Sequence, residues 1–81
     1  MKHHLKTWPK YFEDVYIGKK NFELRKNDRG FKLGDVLVLE EWDGDREQYL
    51  GRQIVKKVEY ILEGGDLGLE KGYVIMALCD M

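Results

Sequence analysis

A small barrel of the α+β class, mainly β, with five or six strands and one N-terminal helix packed on it, is the fold that three features of the sequence predict. Trp8, Tyr11, Phe12 and Val15 fall at i, i+3, i+4 and i+7, the stripe of a single amphipathic helix. Val36-Leu37-Val38-Leu39 is an uninterrupted apolar run, which implies a strand covered on both sides, as in a curved wall. From Arg52 to Leu62 the chain reads as one long strand, and long bent strands suit small barrels.

His3, Leu5 and Thr7 alternate with His4 and Lys6, which gives a short first strand. Thr7 is then expected to cap the helix, with Pro9 in the first turn, where the missing N–H costs nothing. The spacing of Trp8, Tyr11, Phe12 and Val15 assigns all four to the core. Gly18 can take the left-handed conformation that stops a helix, so Lys19 and Lys20 emerge where the helix end meets a strand start. In that strand Phe22 and Leu24 have the period-two spacing of a core face, which leaves Asn21, Glu23 and Arg25 together on the opposite one.

Asn27-Asp28-Arg29-Gly30 carries turn chemistry, because Asn and Asp tolerate left-handed geometry and bond to nearby backbone. Phe31 and Leu33 anchor the far side, and Gly34-Asp35 turns the chain into the apolar run, which Glu40, Glu41 and Trp42 extend outward. Asp43-Gly44-Asp45 is a hairpin signal leading to Tyr49 and Leu50, with Gly51 marking a bulge or bend. In the long strand Ile54, Val58, Tyr60 and Leu62 share one parity, and Lys57, Glu59 and Ile61 the other. Gly64-Gly65-Asp66-Leu67-Gly68 is a loop too irregular for a dinucleotide fingerprint, and Tyr73 to Leu78 supplies the closing strand.

Residues 1–81 make one domain, and a chain of this length buries only roughly 60–65% of the surface its unfolded form exposes. Apolar content of 43% supports a globular fold, and charged content of 36% a well-solvated exterior, so a soluble monomer is expected. The single cysteine, Cys79, excludes an internal disulfide. The opening residues lack a signal-peptide apolar region and no stretch reaches the ~18 apolar residues of a membrane span, so a cytoplasmic location and no membrane partner are expected. The formal charge of −1 is uneven: residues 1–32 hold nine Lys/Arg against four Asp/Glu, and residues 33–81 hold five against eleven. A basic segment beside acidic strands suits an anionic partner, although the halves can equally neutralise each other.

Lys20, Glu23 and Arg25 are the central candidates. They read either as a pocket, with cations holding an anionic or carbonyl-bearing group while Glu23 accepts from a base edge, or as a surface ion-pair cluster worth at most ~1 kcal/mol per pair. Asn27 and Asp28 either reach over that pocket or form a self-capping turn, whereas Arg29 is freer to meet phosphate. Trp42 and Tyr49, flanking the hairpin, either stack on a base or close the barrel end. His3 and His4 have no cysteine nearby and no HxH or HxxxH spacing, so no metal is expected; no cofactor is expected either.

The pattern Gly18-x-Lys20-x-x-Glu23-x-Arg25 resembles the signature of the ASCH domain. The resemblance extends to His3-x-Leu5-Lys6, Pro9-x-Tyr11-Phe12, Asn27-Asp28-Arg29, Gly34-Asp35, Tyr49-x-Gly51-Arg52 and Gly72-Tyr73-Val74-Ile75-Met76. It implies a PUA-like small β-barrel associated with RNA, within a compact bacterial and phage-borne group, and it places His3 at the edge of the cleft. The function it implies is an RNA- or nucleotide-binding module that recognises a base and phosphates around the signature strand. It also implies an alternative, because one family member is an acetylcytidine amidohydrolase whose catalytic lysine coincides with Lys20. That enzyme's nucleophilic threonine falls at Glu23, and its essential glutamate lies in a late insert with no counterpart here. A binding module is therefore the expectation ahead of an enzyme, in which Lys20 and Glu23 would have to do the work.

Overall fold

The computed structural model describes residues 1–81. Strand β1 (Lys2–Thr7) leads into helix α1 (Pro9–Tyr16), followed by β2 (Phe22–Lys26), β3 (Val36–Asp43), β4 (Gln48–Glu63) and β5 (Tyr73–Cys79). All five strands form one curled sheet in the order β1-β3-β4-β5-β2. Only β1 and β3 are parallel; the other neighbours are antiparallel. The mainly β, α+β class with one N-terminal helix is as expected, with five strands.

Two irregularities in β4 bend the sheet. Trp42 pairs with Tyr49 and Glu40 with Gln53, so Leu50, Gly51 and Arg52 together oppose Glu41. Gly51 has φ +94°, a conformation closed to most side chains, and it makes the bulge anticipated at this position. The second irregularity was not anticipated. Val58 pairs with Leu78 and Tyr60 with Ala77, so Glu59 is skipped and the parity of the strand reverses. Val58 is buried, Tyr60 turns to solvent, and Ile61 packs on the core instead.

The core gathers Leu5, Leu37, Leu39, Val58, Val74, Met76 and Leu78 from the strands, with Val15 from α1 and Phe31 from the loop before β3. Val38 is buried on the opposite face between His4 and Val55, so the apolar run is covered on both sides as its composition implies. In α1 only Phe12 and Val15 are buried; Trp8 and Tyr11 are each 48% exposed, which corrects the assignment of the whole stripe to the core. Thr7 does not cap the helix either. Trp8 is the N-cap residue and makes no side-chain cap bond, while Thr7 Oγ1 donates to Leu5 O.

Arg52 ties the helix to the sheet. Its guanidinium bonds to both Glu41 oxygens and to Glu13 on α1, and sits 5.0 Å from the ring centroids of Phe12 and Tyr16. The Glu41 and then the Glu13 hydrogen bonds push this guanidinium above its ordinary value.

The loop between β4 and β5 tests how tightly the backbone closes. Gly64 N–H donates to Tyr73 O at 2.8 Å, and a Cβ at Gly64 would overlap the Glu70 carbonyl oxygen. Gly64→Ala is expected to cost about 1–3 kcal/mol, read as a lowered Tm, whereas Asp66→Ala on the same exposed loop stays within about 0.5 kcal/mol.

Candidate ligand groove at the sheet seam

Strands β1 and β2 are the two edges of the curled sheet, and no backbone ladder joins them. Alternate carbonyls of an edge strand point away from the sheet and need donors from elsewhere. Here arginines supply them: Arg25 Nη2 donates to Lys6 O at 3.0 Å, and Arg29 Nη1 donates to His4 O at 2.9 Å. The seam is closed by side chains.

The phase of β2 is the reverse of that expected. Glu23 pairs in register with Met76, which is fully buried, so Glu23 shares the inner face and is itself only 3% exposed. Phe22 and Leu24 turn outward and are 41% and 52% exposed. The period was right, but apolar character did not set the phase. A buried carboxylate is tolerable only when compensated, and here Lys20 Nζ donates to Glu23 Oε1 at 2.8 Å while Arg25 Nε donates to Oε2 at 2.8 Å. Lys20 Nζ also reaches Phe22 O at 2.7 Å, and Arg25 Nη2 lies 3.3 Å from Thr7 Oγ1. No buried side-chain nitrogen or oxygen is left without a partner.

Lys20 arrives at this point because α1 ends in a tight reversal. Gly18 has φ +84°, and Lys20 N–H returns to Asp14 O at 2.9 Å, which aims the side chain at the start of β2. Above the three charges lies a groove of about 460 Å³, within the size range of small-ligand sites. Lys6, Thr7, Trp8 and Tyr11 form one wall, and Lys20, Phe22, Glu23, Leu24 and Arg25 form the other. Lys20 Nζ stands 4.9 Å from the Phe22 ring centroid and 6.0 Å from that of Tyr11.

Lys20, Glu23 and Arg25 are thus brought together, as a groove wall and not as an exposed strand face. The other candidates lie elsewhere. His3 is buried, with Nε2 2.9 Å from Asp35 Oδ2 and its ring edge-on to Phe31, and it does not line the groove. Its position follows from β1 alternation, which points His3 inward with Leu5 and Thr7. Asn27 forms a turn, its Oδ1 accepting from Phe31 N–H at 2.9 Å. Trp42 and Tyr49 are cross-strand partners in edge-to-face contact at 4.8 Å, and neither lines the groove. Trp42 is linked to it only through Lys6, whose Nζ lies 4.1 Å from the Trp42 centroid. Arg29 lines a smaller adjoining pocket.

Reading the sequence missed Lys6, Thr7, Trp8, Tyr11, Phe22 and Leu24 as groove residues. A signal existed for Trp8: it precedes Pro9 and so lies outside the helix, where the helical stripe does not apply. Its ring rests against the hairpin, since a Cβ at Gly44 would overlap it. Asp35 was also missed as a buried charge. Burial alone would raise its carboxyl, but hydrogen bonds from His3, the Met1 ammonium and Lys32 N–H outweigh that and hold it at about 2.

No His/Cys/Asp/Glu cluster has the makings of a metal site, and no helix is long and apolar enough to cross a membrane. A family profile described as "Domain of unknown function (DUF3850)" matches residues 2–78. The chain is 36% identical over 64 residues to a protein of Escherichia phage P2 described as "Uncharacterized 12.9 kDa protein in GpA 3'region". That match covers 79% of this chain and 57% of the phage protein, so the chain spans little more than half the length of that relative.

Proposed function

We propose, for a chain that belongs to DUF3850, a family described as a domain of unknown function, that the seam groove binds a nucleobase-bearing ligand, RNA or a nucleotide. One observation carries this reading: three half-exposed rings, Trp8, Tyr11 and Phe22, and three cations, Lys6, Lys20 and Arg25, line one concavity together with Glu23. Rings of this kind stack on bases irrespective of sequence, and the cations attract phosphate. Glu23 keeps lone pairs beyond the two that Lys20 and Arg25 occupy, so it can still accept from an exocyclic amino group. The same reading takes the chain as an ASCH-type, PUA-like module acting as a cytoplasmic monomer, with support from the signature residues Lys20, Glu23 and Arg25 meeting at the groove.

The hydrolytic alternative has less support. Lys20 Nζ is committed to Phe22 O and Glu23 Oε1, and Thr7 Oγ1 donates to Leu5 O with Arg25 beside it, so the groove holds no hydroxyl paired with a base.

Fluorescence anisotropy with short RNA at low salt tests the proposal. Affinity is expected to fall with salt at a log–log slope of about −0.7 per neutralised phosphate. Tyr11→Ala and Phe22→Ala, which remove exposed rings, are expected to weaken binding by about 1–3 kcal/mol per stacked base lost. Absence of binding, or affinity indifferent to both substitutions, would overturn it; deacylation of N-acylated cytidines by the protein would replace the binding module with the hydrolytic alternative.

A further inference from the structure

We propose that the seam carries a second subsite, for a backbone phosphate, so that the ligand is a single-stranded nucleic acid segment of at least two nucleotides and not an isolated nucleoside. This deepens the reading of the groove and rests on it. Beside the groove is a pocket of about 180 Å³ lined by Leu5, Arg25, Lys26, Asp28, Arg29 and Phe31. Arg25 borders both, so the two are contiguous along the seam. Both carry three cations against one carboxylate, but the groove adds the exposed rings of Trp8, Tyr11 and Phe22, whereas the apolar residues of the pocket, Leu5 and Phe31, are buried in the core.

The donor inventory shows what the pocket has to spare. A guanidinium offers five N–H donors in a rigid plane. Arg25 spends Nε on Glu23 and Nη2 on Lys6 O and Thr7, which leaves Nη1 without a protein acceptor. Arg29 spends Nη1 on His4 O and leaves Nε and Nη2. Lys26 Nζ donates to nothing in the protein, so its charge has no structural task. The bonds to the β1 edge carbonyls fix the arginine planes before any ligand arrives, and an anion could add to the free donors without breaking one of them. Such preorganisation lowers the ordering cost of binding, and arginine is the side chain best shaped for a phosphate oxygen pair. A strand whose base lies in the groove would place its neighbouring phosphate at Arg25, Lys26 and Arg29.

The test compares labelled mixed-sequence RNA and DNA hexamers with hexamers carrying uncharged methylphosphonate linkages, by anisotropy across a salt series. Lys26→Ala, Arg29→Ala and the double variant are measured with the wild type, and circular dichroism checks folding. Lys26→Ala guards against a folding artefact, because that side chain is exposed and unbonded. The double variant is expected to bind native hexamers about tenfold more weakly, as loss of charged hydrogen bonds implies, with a salt slope shallower by about 0.7 for each phosphate released. Its affinity for methylphosphonate hexamers should equal that of the wild type, and RNA and DNA should lose alike, since the pocket reads phosphate. Native hexamers bound equally well by the double variant, with unchanged slope, would overturn the second subsite; if Phe22→Ala still weakens them, the base groove stands. If neither hexamers nor nucleotides bind at all, the groove reading itself fails and the subsite with it.

Discussion

Glu23→Ala is expected to lower stability by about 2–4 kcal/mol and to abolish ligand binding. The carboxylate is almost wholly buried, and each of its oxygens accepts one cation at 2.8 Å. Truncation leaves the Lys20 and Arg25 charges facing each other in a site where their side chains are only 16% and 26% exposed. Breaking a buried pair from one side costs about 3–5 kcal/mol, and the residual exposure of the two cations trims that figure. In a domain of this size the loss corresponds to a Tm lower by about 10–25 °C. The double variant Lys20→Met/Glu23→Met should recover much of it. Arg25 there loses its carboxylate partner but keeps its bonds to Lys6 O and Thr7, and the Lys20 charge no longer faces it. Denaturant melts of wild type, Lys20→Met, Glu23→Met and the double variant isolate the coupling. A Glu23→Ala protein that melts with the wild type would show that the network contributes nothing to folding.

The same residues therefore hold the fold and shape the groove. Arg25 orders Glu23, spans the seam to β1, and borders both the groove and the smaller pocket. A ligand entering the groove would bind to groups already locked in place, which is how a small domain with a thin core can present a rigid site.

What the sequence reveals of this arrangement is period and composition, and what it hides is phase. The alternation of Phe22, Glu23, Leu24 and Arg25 is plain in the chain, yet which face turns inward is decided by pairing with β5, where Met76 fixes the phase of Glu23 across more than fifty residues. Local hydrophobicity points the wrong way because two cations, one of them delivered by the Gly18 reversal, make the buried carboxylate tolerable. The long strand fails in the same manner: its pattern is legible up to Val58, and the skipped Glu59 then exchanges the roles of Tyr60 and Ile61. Charge asymmetry carried over better. The cations of both cavities, Lys6, Lys20, Arg25, Lys26 and Arg29, all come from the basic first 32 residues. His3 and Asp35 could not be paired from sequence, since nothing in a lone histidine and a Gly-Asp turn announces a bond between edge strand and loop.

That pair is where acid should act on the molecule. Asp35 accepts from His3 Nε2 at 2.9 Å and from Lys32 N–H at 3.0 Å, with the Met1 ammonium at 3.0 Å. Desolvation opposes its charge, but these donors prevail and set its carboxyl at about 2. The unfolded chain, with an ordinary aspartate near 3.9, takes up the proton at higher pH than the native state does. The stabilisation is accordingly complete above about pH 5, declines as pH falls from about 4 to 2, and is gone below that, an overall loss of roughly 2 kcal/mol. Asp35→Ala at pH 7 is expected to cost more, about 3–4 kcal/mol, because the buried His3 and the Lys32 N–H also lose their acceptor. Denaturant titrations at pH 7 and pH 2.5 should then show the gap between wild type and Asp35→Asn narrowing on acidification, since protonation makes the two side chains nearly equivalent. An equal gap at both values would mean that the Asp35 charge does not enter the stability of the fold, and that the bond to His3 matters only for its shape.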